Sequence, residues 1–355
     1  MAQIESLQSG SITESGLSAP LENSAQKILL HPSHAFLYVL DSNSIHVFSI
    51  NPASGKLSFW NSVPIEDYHS SASGINVDGS KLYLFTQRND GVNYRYEFDI
   101  DQTTGFLTEN SKNGILSRIS GVFPNNDEER ADNYGAASSI LFAPNGVDIY
   151  VPTKTLGFAH YNLDKDLNQL NFVGYIIELL DTTQGAVISK DAQGQSLYVL
   201  NDSNVEVFSR DEESGSLTHR ESISNSLGEP FIDLDVGVSN NDWIVSSTSD
   251  ISFNQESSQQ TQTTVNTIEA SGLLEINNVT TNILYNLSDG TIEARDVSDY
   301  SLANIVYDSA SLEIDSVSVL PIDSAINSKS NYLFVLSQSE SNSKNLFVYM
   351  GAVKG

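Results

Sequence analysis

ILLHPSHAFLYVL at residues 28–40 is followed by SIHVFSI at 44–50 and then by NPASGKL at 51–57. The plan returns as AVISKDAQGQSLYVL at 186–200, VEVF at 205–208 and ESGSL at 213–217. Short runs rich in β-branched and aromatic residues with alternating polarity suit half-buried strands. Pro-Ser, Asp-Gly and Pro-Asn pairs between them supply the backbone angles of tight turns, and Ser-Gly near each unit's end supplies a residue that tolerates positive φ. Each unit therefore reads strand, turn, strand, short turn, strand, glycine hairpin, strand.

The aromatic residue of the second strand measures the repeat. It recurs as Tyr38, Tyr83, Tyr150, Tyr198, Trp243, Tyr285 and Phe334, in steps of 45, 67, 48, 45, 42 and 49 residues. Repeats of this length made of four short strands predict an all-β fold, a seven-bladed β-propeller of four-stranded antiparallel blades occupying residues 1–355 as one domain. The last unit offers VSVL at 317–320, YLFVL at 332–336 and LFVY at 346–349, with no fourth strand after them. ESGLSAPL at 14–21 resembles the hairpin and outer strand of a blade, so residues 1–24 are expected to hold a leader whose strand closes the ring. Two departures from the period, 111–135 and 249–263, are expected as loop insertions.

Composition narrows the partners. Lys and Arg total 17 against 45 Asp and Glu, a formal net charge of -28. Such a surface repels polyanions, because backbone binding to nucleic acid needs clustered cations that release counterions. With no cysteine, disulfides, thiolate metal sites and cysteine nucleophiles are excluded. No apolar run approaches the ~20 residues that cross a bilayer, so membrane insertion is not expected. The opening MAQIESLQSG lacks a basic and apolar signal pattern. The acidic, cysteine-free balance fits a secreted or cell-surface location within a longer chain, with a cytosolic one as the alternative.

LYVLD at 37–41 and LYVLN at 197–201, each leading to a strand ending in Val-Phe and a Gly-Xaa-Leu hairpin, resemble the YVTN-type repeats of the lactonase-like (6-phosphogluconolactonase-like) seven-bladed propellers. The likeness is clear in the first four units and fades in the last three. It implies action on lactone rings by histidine, arginine and acidic residues at one mouth of the central channel. At the two family entries that carry those residues, this chain has NYGAASSI at 133–140 and TTQGAV at 182–187, with Asp202 alone retaining an acid. Ring opening needs a base for water and donors for the developing oxyanion.

Because those groups are missing from the matching places, the expected function is a non-catalytic interaction or ligand-binding module, with a protein or glycan partner. Its binding surface would be the channel mouth: His69, Asn133, Tyr134, Gln184 and Glu229. The alternative is a lactone hydrolase with a rearranged site, using His69, Glu129, Arg130 and Asp202. A second alternative is a carbohydrate- or calcium-dependent adhesion module. No cofactor is expected; if calcium binds, Asp233 and Asp235 are the candidate ligands, since alternation along FIDLDV at 231–236 puts both on one face. His31, His34, His46, His160 and His219 read as turn or surface residues. No phosphate loop, nucleophile elbow or zinc-protease motif is present.

Overall fold

A computed structural model describes strands and turns between residues 27 and 350. Residues 1–26, 110–116, 119–139, 177–187, 225–232, 309–318, 351–355 and several shorter loop stretches lie outside the described residues, and side chains are described in blades 1 to 4 only, up to residue 222. Seven antiparallel sheets follow one another along the chain, each a meander in sequence order. Blade 1 comprises Lys27–Leu30, Phe36–Leu40, Ser44–Ile50 and Leu57–Pro64. Blade 2 has His69–Ile75, Lys81–Gln87, Asn93–Ile100 and Leu107–Glu109; blade 3 has Leu141–Phe142, Asp148–Pro152, Phe158–Asp164 and Gln169–Ile176. Blade 4 has Ile188–Lys190, Ser196–Asn201, Asn204–Arg210 and Leu217–Ser224; blade 5 has Asp233–Val236, Asp242–Ser246, Ser249–Asn254 and Gln259–Thr264. Blade 6 has Ala270–Glu275, Asn282–Ser288, Thr291–Asp296 and Leu302–Asp308, and blade 7 has Val319–Asn327, Tyr332–Ser339 and Lys344–Met350. This is the seven-bladed propeller that the repeat predicts, and every aromatic of the ruler lies in the second strand of its blade.

The turns form for the reasons legible in the sequence. Gly79, Gly146 and Gly194 take positive φ (73°, 64° and 66°) between the first and second strands of blades 2, 3 and 4. In blade 1 His34 takes the same place with φ 61°, a conformation that histidine tolerates better than a β-branched residue would. Its N–H donates to the His31 carbonyl at 2.7 Å, as the Gly79 N–H does to Asn76 at 2.9 Å. At the hairpins before the fourth strands, the Asp101 carboxylate accepts from the N–H groups of Thr103 and Thr104 at 2.9 and 2.7 Å, and Asp211 accepts from the Ser214 N–H at 2.7 Å. These bonds hold both exposed carboxyls below their ordinary value, those of Thr104 leading for Asp101 and those of Ser214 for Asp211. Part of the acidic charge thus builds turns.

Contacts group the chain into two compact units, Pro64–Leu234 and Met1–Val63 with Asp235–Gly355. In the first of these, both faces of blade 3 are covered. Ile149, Val151 and Tyr161 pack with Tyr83 and Phe85 of blade 2. Tyr150 and Phe158 pack with Leu197, Val199 and Phe208 of blade 4. Successive residues of one strand serve opposite interfaces, so the described residues of the second strands in blades 1 to 4 are buried instead of alternating with polar exposed positions. Burying each such side chain is worth roughly 1.5–3 kcal/mol.

In the second unit, the first strand of blade 7 lies beside the first strands of blades 6 and 1. Among the described residues, blade 7 has three strands. The closing strand expected from residues 1–24 lies outside the described residues. Deleting residues 1–24 is expected to lower the thermal midpoint by several degrees; an unchanged midpoint would remove that segment from the closure.

The inserts depart from expectation in one case. Of 111–135, the described part is Ser117–Arg118, which pairs with Tyr94 and Arg95 and prolongs the edge that Leu107–Glu109 begins. The 249–263 stretch is not a loop insertion. It contains the third and fourth strands of blade 5, paired from Ser249 with Thr264 to Asn254 with Gln259. Its Ser, Thr and Gln content lacks the apolar alternation that marks a strand, although threonine favours extended backbone.

Candidate functional site

Of the residues expected at the channel mouth, the structure describes only the backbone of His69. His69 opens the first strand of blade 2, its backbone paired with Gln87, and a register irregularity separates it from Ala72. Asp233 and Asp235 fall in the first strand of blade 5; their side chains, and that of His69, lie outside the described residues. So do Glu129, Arg130, Asn133, Tyr134, Gln184, Asp202 and Glu229. Among the described residues, no three His, Asp or Glu side chains gather as a metal-binding group.

Three acid and histidine clusters are well defined, and sequence reasoning missed each of them. His31, His46 and His160, expected in turns or at the surface, are 1%, 5% and 4% exposed. A histidine in an alternating strand is solvent-facing only when the sheet has a free face, and a propeller blade covers both. Each buried ring finds a partner: His31 Nδ1 lies 2.7 Å from the Ser33 hydroxyl.

In blade 1, Asp41 follows the second strand directly and is fully buried. One carboxylate oxygen accepts from the Ser44 N–H at 2.7 Å, tightening the turn. The other meets His46 Nε2 at 2.5 Å and accepts from the Ser44 hydroxyl at 3.1 Å. The Ser44 hydroxyl also sits 3.2 Å from His46 Nε2. On the far side of the ring, Nδ1 lies 2.6 Å from Oγ of Ser62 in the fourth strand. A carboxylate against Nε2 places the ring proton there, which leaves Nδ1 to accept from the Ser62 hydroxyl. Ser62 is exposed, so the relay runs from a buried acid through a buried base to a hydroxyl open to solvent.

Between blades 3 and 4 a larger network is buried except at Asn145. Asp148 accepts from His160 Nε2 at 3.0 Å, from Asn145 Nδ2 at 2.8 Å and from the Arg210 guanidinium. Arg210 Nε donates to the Tyr150 hydroxyl at 3.1 Å, which itself donates to the Gly215 carbonyl at 2.6 Å. The Tyr150 and His160 rings stack 5.0 Å apart. Burial alone would raise the Asp148 carboxyl, but hydrogen bonds from His160, Asn145 and Arg210, with the Arg210 charge, hold it far below the usual carboxylate range. Burial, aided by the Asp148 charge, pushes the Tyr150 hydroxyl up to about 12. With every member satisfied and little surface, this network fastens two blades and offers no reactive group.

In blade 4, Glu206 Oε2 meets His219 Nε2 at 2.8 Å and also accepts from the Ser222 hydroxyl. Serine and carboxylate both face the same ring nitrogen, so no proton path crosses the imidazole. Blade 1 alone of these three separates acid and hydroxyl onto opposite ring nitrogens.

Known proteins supply the remaining comparison. The family described as Lactonase, 7-bladed beta-propeller, matches residues 2–122. A Bacteroides uniformis protein assigned as a 6-phosphogluconolactonase superposes with a TM-score of 0.56 at 13% identity, over 78% of this chain and 82% of its own. A Pseudomonas aeruginosa periplasmic gluconolactonase superposes with a TM-score of 0.52 at 14% identity, over 93% of this chain and 87% of its own. No curated protein matches the sequence. The chain is therefore similar to the lactonase-type seven-bladed propellers, by family pattern in residues 2–122 and by fold along most of its length.

Proposed function

We propose that this protein hydrolyses a lactone, with a sugar lactone as the substrate class. The observation that carries the reading is the lactonase family match over residues 2–122, which the shared fold with two lactonase propellers supports. This reverses the order of the sequence-based expectation, in which the non-catalytic module came first. Opening a lactone needs a base that takes a proton from water, donors that hold the carbonyl oxygen as it gains charge, and an acid that protonates the ring oxygen as it leaves. In this reading His69 or Asp202 is the base, Arg130 steadies the oxyanion and Glu129 is the acid. The net charge of -28 favours a neutral ring over a phosphorylated one, because an acidic surface lowers the local concentration of anions.

The interaction-module reading keeps one specific support, the absence of histidine and arginine at 133–140 and 182–187. Acid release from glucono-δ-lactone and related rings separates the two. Enzymatic opening above the buffer rate is expected, falling ~100-fold or more in Arg130→Ala, as when one oxyanion donor is removed. No ring opened faster than in buffer would leave the module reading in place.

A further inference from the structure

The blade 1 relay is not used by the proposed lactone chemistry, and its geometry suits a different reaction. Asp41 is 0% exposed and His46 5%. A buried, fully hydrogen-bonded carboxylate steadies an imidazolium more strongly than a solvated one would. Ser62 is exposed at the other ring nitrogen, so a substrate can reach the hydroxyl without displacing the acid or the base. Beside it on the same strand, Phe59 is 37% exposed, and its ring lies 6.3 Å from that of His46. A half-exposed aromatic ring next to a hydroxyl with a proton acceptor fits an uncharged ester carrying a hydrophobic group.

We propose that Ser62 is an acyl-accepting nucleophile, with His46 as its general base and Asp41 as the group that positions the imidazole, acting on neutral carboxylic esters. This goes beyond the lactone reading and does not depend on it. Ser62 Oγ forms a bond to the ester carbonyl carbon while its proton passes to His46 Nδ1. The tetrahedral adduct then breaks its bond to the alcohol oxygen, and the alcohol leaves with that proton. Water attacks the acyl-serine, again giving a proton to His46. The Oγ–carbon bond breaks, Ser62 recovers its proton, and the carboxylic acid departs. Ester and water become acid and alcohol, with no oxidant or other co-reactant. Separate hydrogen bonds from one imidazole to an acid and to a serine are the signature of this chemistry on unrelated folds; here the acid holds Nε2 and the serine Nδ1.

The test is covalent labelling of the full chain with a fluorophosphonate, read as the mass of the Ser62 peptide, beside turnover of p-nitrophenyl butyrate. The expected result is a single adduct at Ser62, with labelling and ester turnover lost in Ser62→Ala. Ser62 is exposed, so this variant should melt with the wild type, and its thermal midpoint checks that. His46→Ala should slow labelling ~100-fold or more at neutral pH, the range of a lost general base. In Asp41→Asn the labelling rate should fall while the Ser62 hydroxyl remains. Adducts only on other serines, or ester turnover unchanged in Ser62→Ala, would overturn the proposal. Labelling is read at Ser62 and lactone opening by acid release, so either reading can fail while the other stands.

Discussion

Arg210→Met is expected to destabilise the fold by about 3–5 kcal/mol, because it leaves Asp148 ionised in a buried site without its cation. Both side chains are 3% exposed, so water cannot take the arginine's place. His160 and Asn145 still donate to the carboxylate, but the Tyr150 hydroxyl loses the Arg210 Nε–H donor and the link between blades 3 and 4 is cut. The double variant Asp148→Leu with Arg210→Met should recover much of the loss, since a pair replaced by apolar groups of similar size leaves no orphan charge. The pH dependence has a definite sign. The Asp148 carboxyl is depressed in the folded state, so its contribution is fully present above the unfolded value of roughly 3.9 and is lost as pH falls below that. Urea melts of wild type and Asp148→Asn should therefore differ most at neutral pH and converge as pH drops below ~4. An Arg210→Met penalty under ~1 kcal/mol would show the clamp to be ornamental, in the range of exposed pairs.

The fold was legible because its signals repeat. One aromatic in each second strand counted seven blades, and the Pro-Ser, Asp-Gly and Pro-Asn pairs marked turns that the backbone realises with positive φ at His34, Gly79 and Gly146. The three strands that the sequence offers for the last unit are the three described there. What failed was inference from polarity. Blade 5 hid two strands at Ser249–Asn254 and Gln259–Thr264 because their Ser, Thr and Gln content lacks the apolar alternation that marks a strand. His46 looked like the polar position of a half-exposed strand, yet both faces of a blade are packed. The relay itself has no local pattern: Asp41 and His46 are near neighbours, but Ser62 joins them only when the fourth strand folds back beside the third. The clamp is less legible still, since Asp148 and Arg210 lie in different blades and their partnership depends on how two sheets stack.

Gly215→Ala should cost about as much as losing Arg210, and the reason is a contact no hairpin rule contains. Gly215 takes φ 68° in the hairpin that ends the third strand of blade 4, where a Cβ alone costs roughly 1–2 kcal/mol. That Cβ would also stand within 3.0 Å of Asp148 Cγ and both its carboxylate oxygens, across the interface with blade 3. The carboxylate cannot retreat, since His160, Asn145 and Arg210 fix it, and moving the hairpin instead would break the Tyr150 hydrogen bond to the Gly215 carbonyl. A total loss of ~3 kcal/mol or more is expected, against at most ~0.5 kcal/mol for Gly174→Ala, where an added Cβ meets nothing within 4 Å. The two contributions separate in an Asp148→Ala background: the clash disappears with the carboxylate, and Gly215→Ala should then cost only the ~1–2 kcal/mol of backbone strain. Additive penalties in that double variant would mean that the hairpin does not press on the clamp, and that glycine is kept there for its φ alone.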